Sequence, residues 1–169
     1  MRFVYGKQEM RSLSRSQESC FLLTNGLGGY ASLTAAYSAN RCDQGVLIAA
    51  QKAPGERVTL VHRLRETLTV DGKPYWLSTQ QFADGTQPED GFRNLSFFAF
   101  ENIPHWRYHI GGVRVTRTMA MTYGQNTTAV IYKVENQSNN ACSLTVDPFV
   151  KFGPKETAIK AAPNISFSQ

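Results

Sequence analysis

The side chains best placed for proton chemistry are His62 and Glu66, which share one parity in the alternating segment 58–70. Val58, Leu60, His62, Leu64, Glu66, Leu68 and Val70 form that set, so a strand here turns the imidazole and the carboxyl toward its apolar face. Burial would raise the pKa of the carboxyl and fit it to donate a proton. The same placement also serves a hydrogen-bonded structural pair, which is the reading preferred, because polar groups inside sheets are satisfied locally. Other chemistries lack a pattern. His105 and His109 have no carboxylate partner at metal-ligand spacing, so no metal site is predicted. No Gly-x-Ser-x-Gly elbow supports a serine nucleophile. Cys20, Cys42 and Cys142 are odd in number and widely spaced, which fits neither a disulfide framework nor a Cys-x-x-Cys zinc site. They are expected to be buried free thiols.

A second constellation lies near the start. Residues 20–30 read C-F-L-L-T-N-G-L-G-G-Y, a short apolar strand running into a glycine-rich stretch. Glycines permit positive φ and close backbone approach, so this is a tight corner between two strands. Gly26, Gly28 and Gly29 have the wrong spacing for a dinucleotide fingerprint, and no Gly-Lys-Ser/Thr follows to make a P-loop. No cofactor is predicted.

What must position these residues is a set of strands. In segment 57–69 the odd residues Arg57, Thr59, Val61, Arg63, Arg65, Thr67 and Thr69 are expected to face outward. Asp71-Gly72 supplies a type I′ turn, and residues 73–77 return as the paired strand. Residues 106–110 and 113–121 flank Gly111-Gly112, a second hairpin signal. Val130, Tyr132 and Val134 alternate in a further strand, and Leu144 and Val146 lie in another. Residues 84–93 read as a polar surface loop, and residues 153–169 as a linker or an incomplete end. Strands joined by short turns, with no long amphipathic helix, predict a single all-β domain over 1–169, an antiparallel sandwich whose end reads as truncated.

Composition sets the outer limits. The 169 residues suit one domain, and the apolar runs are too short to cross a bilayer. No apolar signal-peptide core follows the first residues, which predicts a cytoplasmic protein with no membrane partner. The net charge of +5 raises nucleic acid as a partner, but the basic residues are scattered. Arg63 and Arg65 on one strand, and Arg114 and Arg117 on another, read as solvated sheet faces, so no nucleic-acid partner is predicted.

L-L-T-N-G-L-G-G-Y-A-S at 22–32 resembles the opening motif of the N-terminal domain of bacterial and archaeal-type glycogen debranching enzymes. Asn40-Arg41 followed by G-V-L-I-A-A at 45–50 is similar to that family's Arg-rich turn and strand, and L-R-E-T-L with Asp71-Gly72 to its hairpin. Gly91-Phe92-Arg93, Pro104-x-Trp106-x-Tyr108 and Gly124-Gln125-Asn126-Thr127-Thr128 extend the resemblance over roughly residues 21–151. It implies a β super-sandwich of the glycosidase N-terminal type. It also implies a C-terminal α/α-barrel partner that carries amylo-α-1,6-glucosidase activity on glycogen branch points. The chain is too short to hold that barrel. The family's Arg-Arg-Tyr-His-Gly turn is Arg41-Cys42-Asp43-Gln44-Gly45 here, and Gln44 can bond a hydroxyl but cannot shuttle protons near neutral pH.

Glycoside hydrolysis needs two opposed carboxylates. Glu89, Asp90 and Glu101 read as loop or solvent-facing acids, and no catalytic residue is assigned. Sugar recognition through aromatic faces and planar polar groups is the expected role. The substrate-binding candidates are Asn25, Tyr30, Arg41, Gln44, Arg93 and Trp106, with Trp76, Phe92 and Tyr108 as further aromatics. Glycogen or malto-oligosaccharides would be the ligand, and the isolated domain is expected to self-associate through the surface that meets the barrel. A related glycosidase or disaccharide phosphorylase, or a free-standing carbohydrate-binding module, is the alternative.

Overall fold

The computed structural model describes residues 3–52, 55–155 and 157. In chain order the strands are β1 (Phe3–Gly6), β2 (Leu23–Thr24), β3 (Tyr30–Ser32), β4 (Gly45–Lys52), β5 (Glu56–Val70), β6 (Lys73–Trp76) and β7 (Thr79–Gln80). There follow β8 (Glu89–Asp90), β9 (Leu95–Phe100), β10 (Pro104–Ile110), β11 (Val113–Met121), β12 (Thr128–Asn136) and β13 (Cys142–Pro154). Among the described residues the short α-helix α1 (Leu13–Glu18) begins where the Ser12 hydroxyl accepts the Arg15 N–H.

The strands form two antiparallel sheets. One has the order β1-β9-β10-β11-β12. The other has the order β13-β5-β4-β3-β2, with β6 beside β5. β7 and β8 pair separately. Strand alternation creates the core between the sheets. Pro104, Trp106, Tyr108 and Ile110 of β10 are buried, as are Val113, Val115, Arg117 and Met119 of β11. They meet Leu68 and Val70 of β5, with Leu23, Ala31 and Val46. The all-β sandwich expected from the sequence is therefore the fold. Both predicted hairpins form, with Val70 opposite Lys73 and Ile110 opposite Val113. Asp71 and Gly72 take φ of 51° and 73°, as a two-residue type I′ turn requires.

Several local readings change. Alternation along β5 holds from Leu64 to Val70 but not before. Val61 follows Arg63 as the residue matched on β13, so His62 is an extra residue in the ladder. Leu60 is bypassed in the same way against β4. These bulges turn Thr59 and Val61 to the core side that Leu60 and His62 were expected to take. β1, unmarked in the sequence reading, pairs with β9 and so extends the first sheet. The segment 84–93 is not wholly surface loop, since Glu89, Gly91 and Phe92 are buried. Arg63 Nη1 donates to both Glu89 carboxylate oxygens, at 2.9 and 2.8 Å, and the Ser78 hydroxyl donates to one of them at 2.6 Å. Arg63 is thereby covered rather than solvated, and Phe149 stacks over its guanidinium at 4.1 Å. Of the three thiols, Cys20 and Cys42 are exposed and Cys142 is half-buried, so the expected burial does not occur. Both exposed thiols lie outside the named strands, Cys20 just before β2 and Cys42 in the connection from β3 to β4. β13 reaches Pro154, and the rest of the stretch read as linker, apart from Lys155 and Thr157, lies outside the described residues.

Candidate functional site at the glycine-rich corner

The corner between β2 and β3 is organised by Asn25, which is fully buried. Its Oδ1 accepts the N–H groups of Leu27 and Gly29 at 2.9 and 3.0 Å. Its Nδ2 donates to the Gln125 carbonyl at 2.9 Å and to Asn126 Oδ1 at 3.0 Å. The Asn25 carbonyl accepts the Gly124 N–H at 2.7 Å. Asn126 passes the connection on, taking the Ala50 N–H and donating to the Ala50 carbonyl. One amide thus ties the corner to the β11–β12 turn, and through it to the end of β4. Gly29 makes this possible. A Cβ there would stand 2.6 Å from both Asn25 Nδ2 and Asn126 Oδ1.

In front of this corner lies a recess of about 430 Å³, lined by Leu22, Thr24, Tyr30, Arg41, Asp43 and Arg57 among others. Such a volume falls within the range of small-ligand sites, about 300–1,000 Å³. Its walls are held by local bonds. The Tyr30 hydroxyl donates to the Asp43 carbonyl at 2.8 Å, and Arg57 Nε donates to the Gly28 carbonyl at 2.6 Å. The Arg57 guanidinium also stands 5.8 Å over the Tyr30 ring. Gln44 is buried, and its Oε1 accepts the N–H groups of Asn40 and Arg41 at 2.9 and 3.2 Å. It caps the turn that carries Arg41. The recess therefore combines an apolar floor from Phe21 and Leu22 with guanidinium donors and one carboxylate, Asp43.

The structure brings Tyr30, Arg41 and Gln44 to this recess and places Asn25 behind it as its brace. It does not bring Arg93 or Trp106 there. Arg93 is exposed and faces Asp90 at 3.5 Å, beside a separate hollow near Lys7 and Phe92. Trp106 is wholly buried; its indole N–H donates to the Ala35 carbonyl at 2.9 Å, and its ring meets Phe21 and Tyr37 edge-on. It is core because it falls on the inward parity of β10. Phe92 and Tyr108 are buried, and Trp76 is half-buried on β6. Arg57, Thr24 and Asp43 were not singled out from sequence. Arg57 lies at the start of the long alternating segment, where it read as one of the outward-facing set.

The other polar constellation is between the sheets. Glu66 and Arg117 are both fully buried and form an ion pair. Tyr132 donates to the second oxygen of Glu66, and Arg117 Nη2 donates to the Tyr108 hydroxyl at 2.7 Å. Tyr108 donates in turn to the Leu77 carbonyl at 2.8 Å. The guanidinium lies 3.2 Å over the Tyr37 ring and 4.6 Å from that of Trp106. So Arg117 is not on a solvated face, and the partner of Glu66 is Arg117 rather than His62. The bulge at His62 explains the second point, because it takes the imidazole off the face that carries Glu66. Burial pushes the Glu66 carboxyl above its ordinary range, against the opposing pull of Arg117 and Tyr132. Burial also holds Tyr108 and Tyr132 above the usual phenol value, with the Glu66 charge adding to it, so both stay neutral donors.

His62 has a different surrounding. Its pKa is held below the ordinary imidazole value by burial, then by the charges of Lys151 and Arg63, against a backbone hydrogen bond at Gln44. The native state therefore binds fewer protons than the unfolded chain just below the usual value of about 6.5, and stability is lost as pH falls through that range. In urea denaturation from pH 7.5 to 5.5, His62→Gln is expected to lose part of the acid-side decline shown by the wild type. Parallel curves for the two proteins would contradict this.

Among the described residues, no group of three or more His, Cys, Asp and Glu side chains converges as a metal site requires. None of the described helices is long and apolar enough to cross a membrane.

These features define an all-β sandwich domain with a ligand-sized recess at a rigid, glycine-rich corner. Residues 19–169 match the family model described as glycogen debranching enzyme N terminal, and the chain belongs to that family. Comparison with curated proteins and with solved structures found no match.

Proposed function

We propose that the chain is the glucan-contacting accessory domain of a glycogen-debranching enzyme, and that the corner recess is the surface it presents to glycogen or malto-oligosaccharides. The observation that carries this reading is the convergence of Tyr30, Arg41 and Arg57 with an apolar floor in one recess inside the matched segment. Sugars are held in this way, with planar donors on hydroxyls and apolar surface against C–H groups. The recess has Asp43 as its one carboxylate among the described residues, whereas glycosidic hydrolysis uses two. Binding rather than bond cleavage is therefore its role, and the C-terminal α/α-barrel of the same enzyme would supply the acid and the base. Exposed free thiols at Cys20 and Cys42 fit a reducing, cytoplasmic setting.

Arg41 is exposed, and its bond to Gln44 Oε1 is made by its main-chain N–H, which alanine keeps, so a substitution here separates binding from folding. Arg41→Ala is expected to weaken maltoheptaose binding about tenfold, the order of one lost charge-assisted hydrogen bond. Calorimetric titration checks this alongside a thermal melt, which should not move. Unchanged affinity would remove the recess from the glucan site.

A further inference from the structure

Tyr123 is the most exposed of the large hydrophobic side chains, at 85%. Exposure of this kind normally marks a mobile loop tip, but the turn that carries Tyr123 is held firmly. Thr122 N–H donates to the Thr127 carbonyl at 3.1 Å, and Gly124 N–H donates to the Asn25 carbonyl at 2.7 Å. Asn25 and Asn126 lock the following residues. The ring itself rests against Gly26. A Cβ at that position would meet ring atoms Cε2, Cζ and Cδ2 at 2.6, 3.0 and 3.2 Å, and Gly26 has φ of +79°. A glycine thus serves as the seat for an aromatic ring whose remaining surface faces solvent.

Gly26 lies between Thr24 and Gly28 in the chain, and both of these line the recess. The ring therefore rests on the same glycine-rich corner whose flanking residues line the recess. Its turn neighbours Thr122, Gly124 and Gln125 are all exposed and polar or small. A protein interface core surrounds its aromatic anchors with contiguous apolar surface. A ring bordered by hydrogen-bonding groups, with the exposed Leu27 next to its Gly26 seat, suits a pyranose, which offers C–H surface bordered by hydroxyls.

We propose that Tyr123 is an aromatic platform on which a glucose unit of an α-glucan stacks, as a subsite adjoining the recess. This rests on the glucan reading above. Binding energy here comes from the ring face, so the hydroxyl is dispensable. Because the side chain is exposed, its replacement leaves folding intact.

The test is titration of the 169-residue chain with maltoheptaose, followed by NMR, for the wild type, Tyr123→Phe, Tyr123→Leu and Arg41→Ala. Tyr123→Leu keeps apolar contact with Gly26 but loses the planar face, and it is expected to bind about five- to tenfold more weakly. Tyr123→Phe should bind within about twofold of the wild type. If Arg41→Ala weakens binding while Tyr123→Leu does not, the platform is overturned and the recess stands. Equal weakening by the phenylalanine and leucine variants would assign the effect to the hydroxyl, which also overturns stacking. A wild type that shows no saturable shifts at millimolar ligand would overturn both readings.

Discussion

Glu66→Leu is expected to cost about 3–5 kcal/mol of folding stability, the scale on which removing one partner of a buried ion pair acts. Arg117 would remain between the sheets as a buried, permanently charged group with only Tyr108 as a polar partner. Its Nε already lacks an acceptor, so the pair is incompletely satisfied even in the native protein. For that reason the double variant Glu66→Leu with Arg117→Met should return to within about 1 kcal/mol of the wild type or exceed it. Tyr108 would keep the Leu77 carbonyl as its acceptor. Arg117→Met alone should be less severe than Glu66→Leu, because a carboxyl can take up a proton and a guanidinium cannot release one. With its cation gone, Glu66 would titrate still higher, so the native state binds more protons than the unfolded chain above the ordinary glutamate value. The single arginine variant should accordingly lose stability as pH rises from 5 to 8. Urea denaturation of the four proteins, a double-mutant cycle, measures these terms. A double variant as unstable as the sum of the singles would mean that the two residues do not act as a pair.

The second large effect is expected at Asn25. Alanine there removes the acceptor of two backbone N–H groups and the donor to Gln125 and Asn126. The Gly29 N–H is buried, and leaving such a group unpaired costs about 1–3 kcal/mol. Summed over the group, Asn25→Ala should lower stability by about 2–4 kcal/mol. Its distinctive consequence is local. Amide exchange should rise together at residues 26–29 and 123–127, which are far apart in sequence and are joined by this side-chain amide beside the Tyr123–Gly26 contact and the Gly124 N–H bond to the Asn25 carbonyl. Faster exchange at the first segment alone would show that the β11–β12 turn holds itself.

Much of the fold was legible because period-two alternation and two glycine-containing hairpin turns stand out in segments 64–77 and 106–121. The glycine-rich corner was legible for the same reason, since its residue types admit few other conformations. The inter-sheet pair was half legible. Glu66 stood out as a carboxyl on an apolar face, and Arg117 holds the same position among Val113, Val115 and Met119. Applying the parity test to both strands would have matched the two charges. What hid the match was the assumption that scattered arginines are solvated. The bulge at His62 was not legible, because no Gly, Pro or Asn marks it and it arises from how β13 and β4 meet β5. Asn25 read as a sugar contact because a polar residue in a loop looks available. Only the structure shows all its hydrogen-bonding capacity turned inward. Tyr123 carried no periodic signal at all, and its place follows from a contact across nearly a hundred residues.

The proposed meeting of this domain with glucan is placed at its glycine-rich corner. The most direct test is a chemical-shift map of the isotope-labelled chain titrated with maltoheptaose. Saturable shifts confined to residues 22–30, 41–44, 57 and the 122–127 turn, with the Trp106 indole unmoved, are the predicted result. Saturable shifts elsewhere with a silent corner, or no shifts at millimolar ligand, would contradict it.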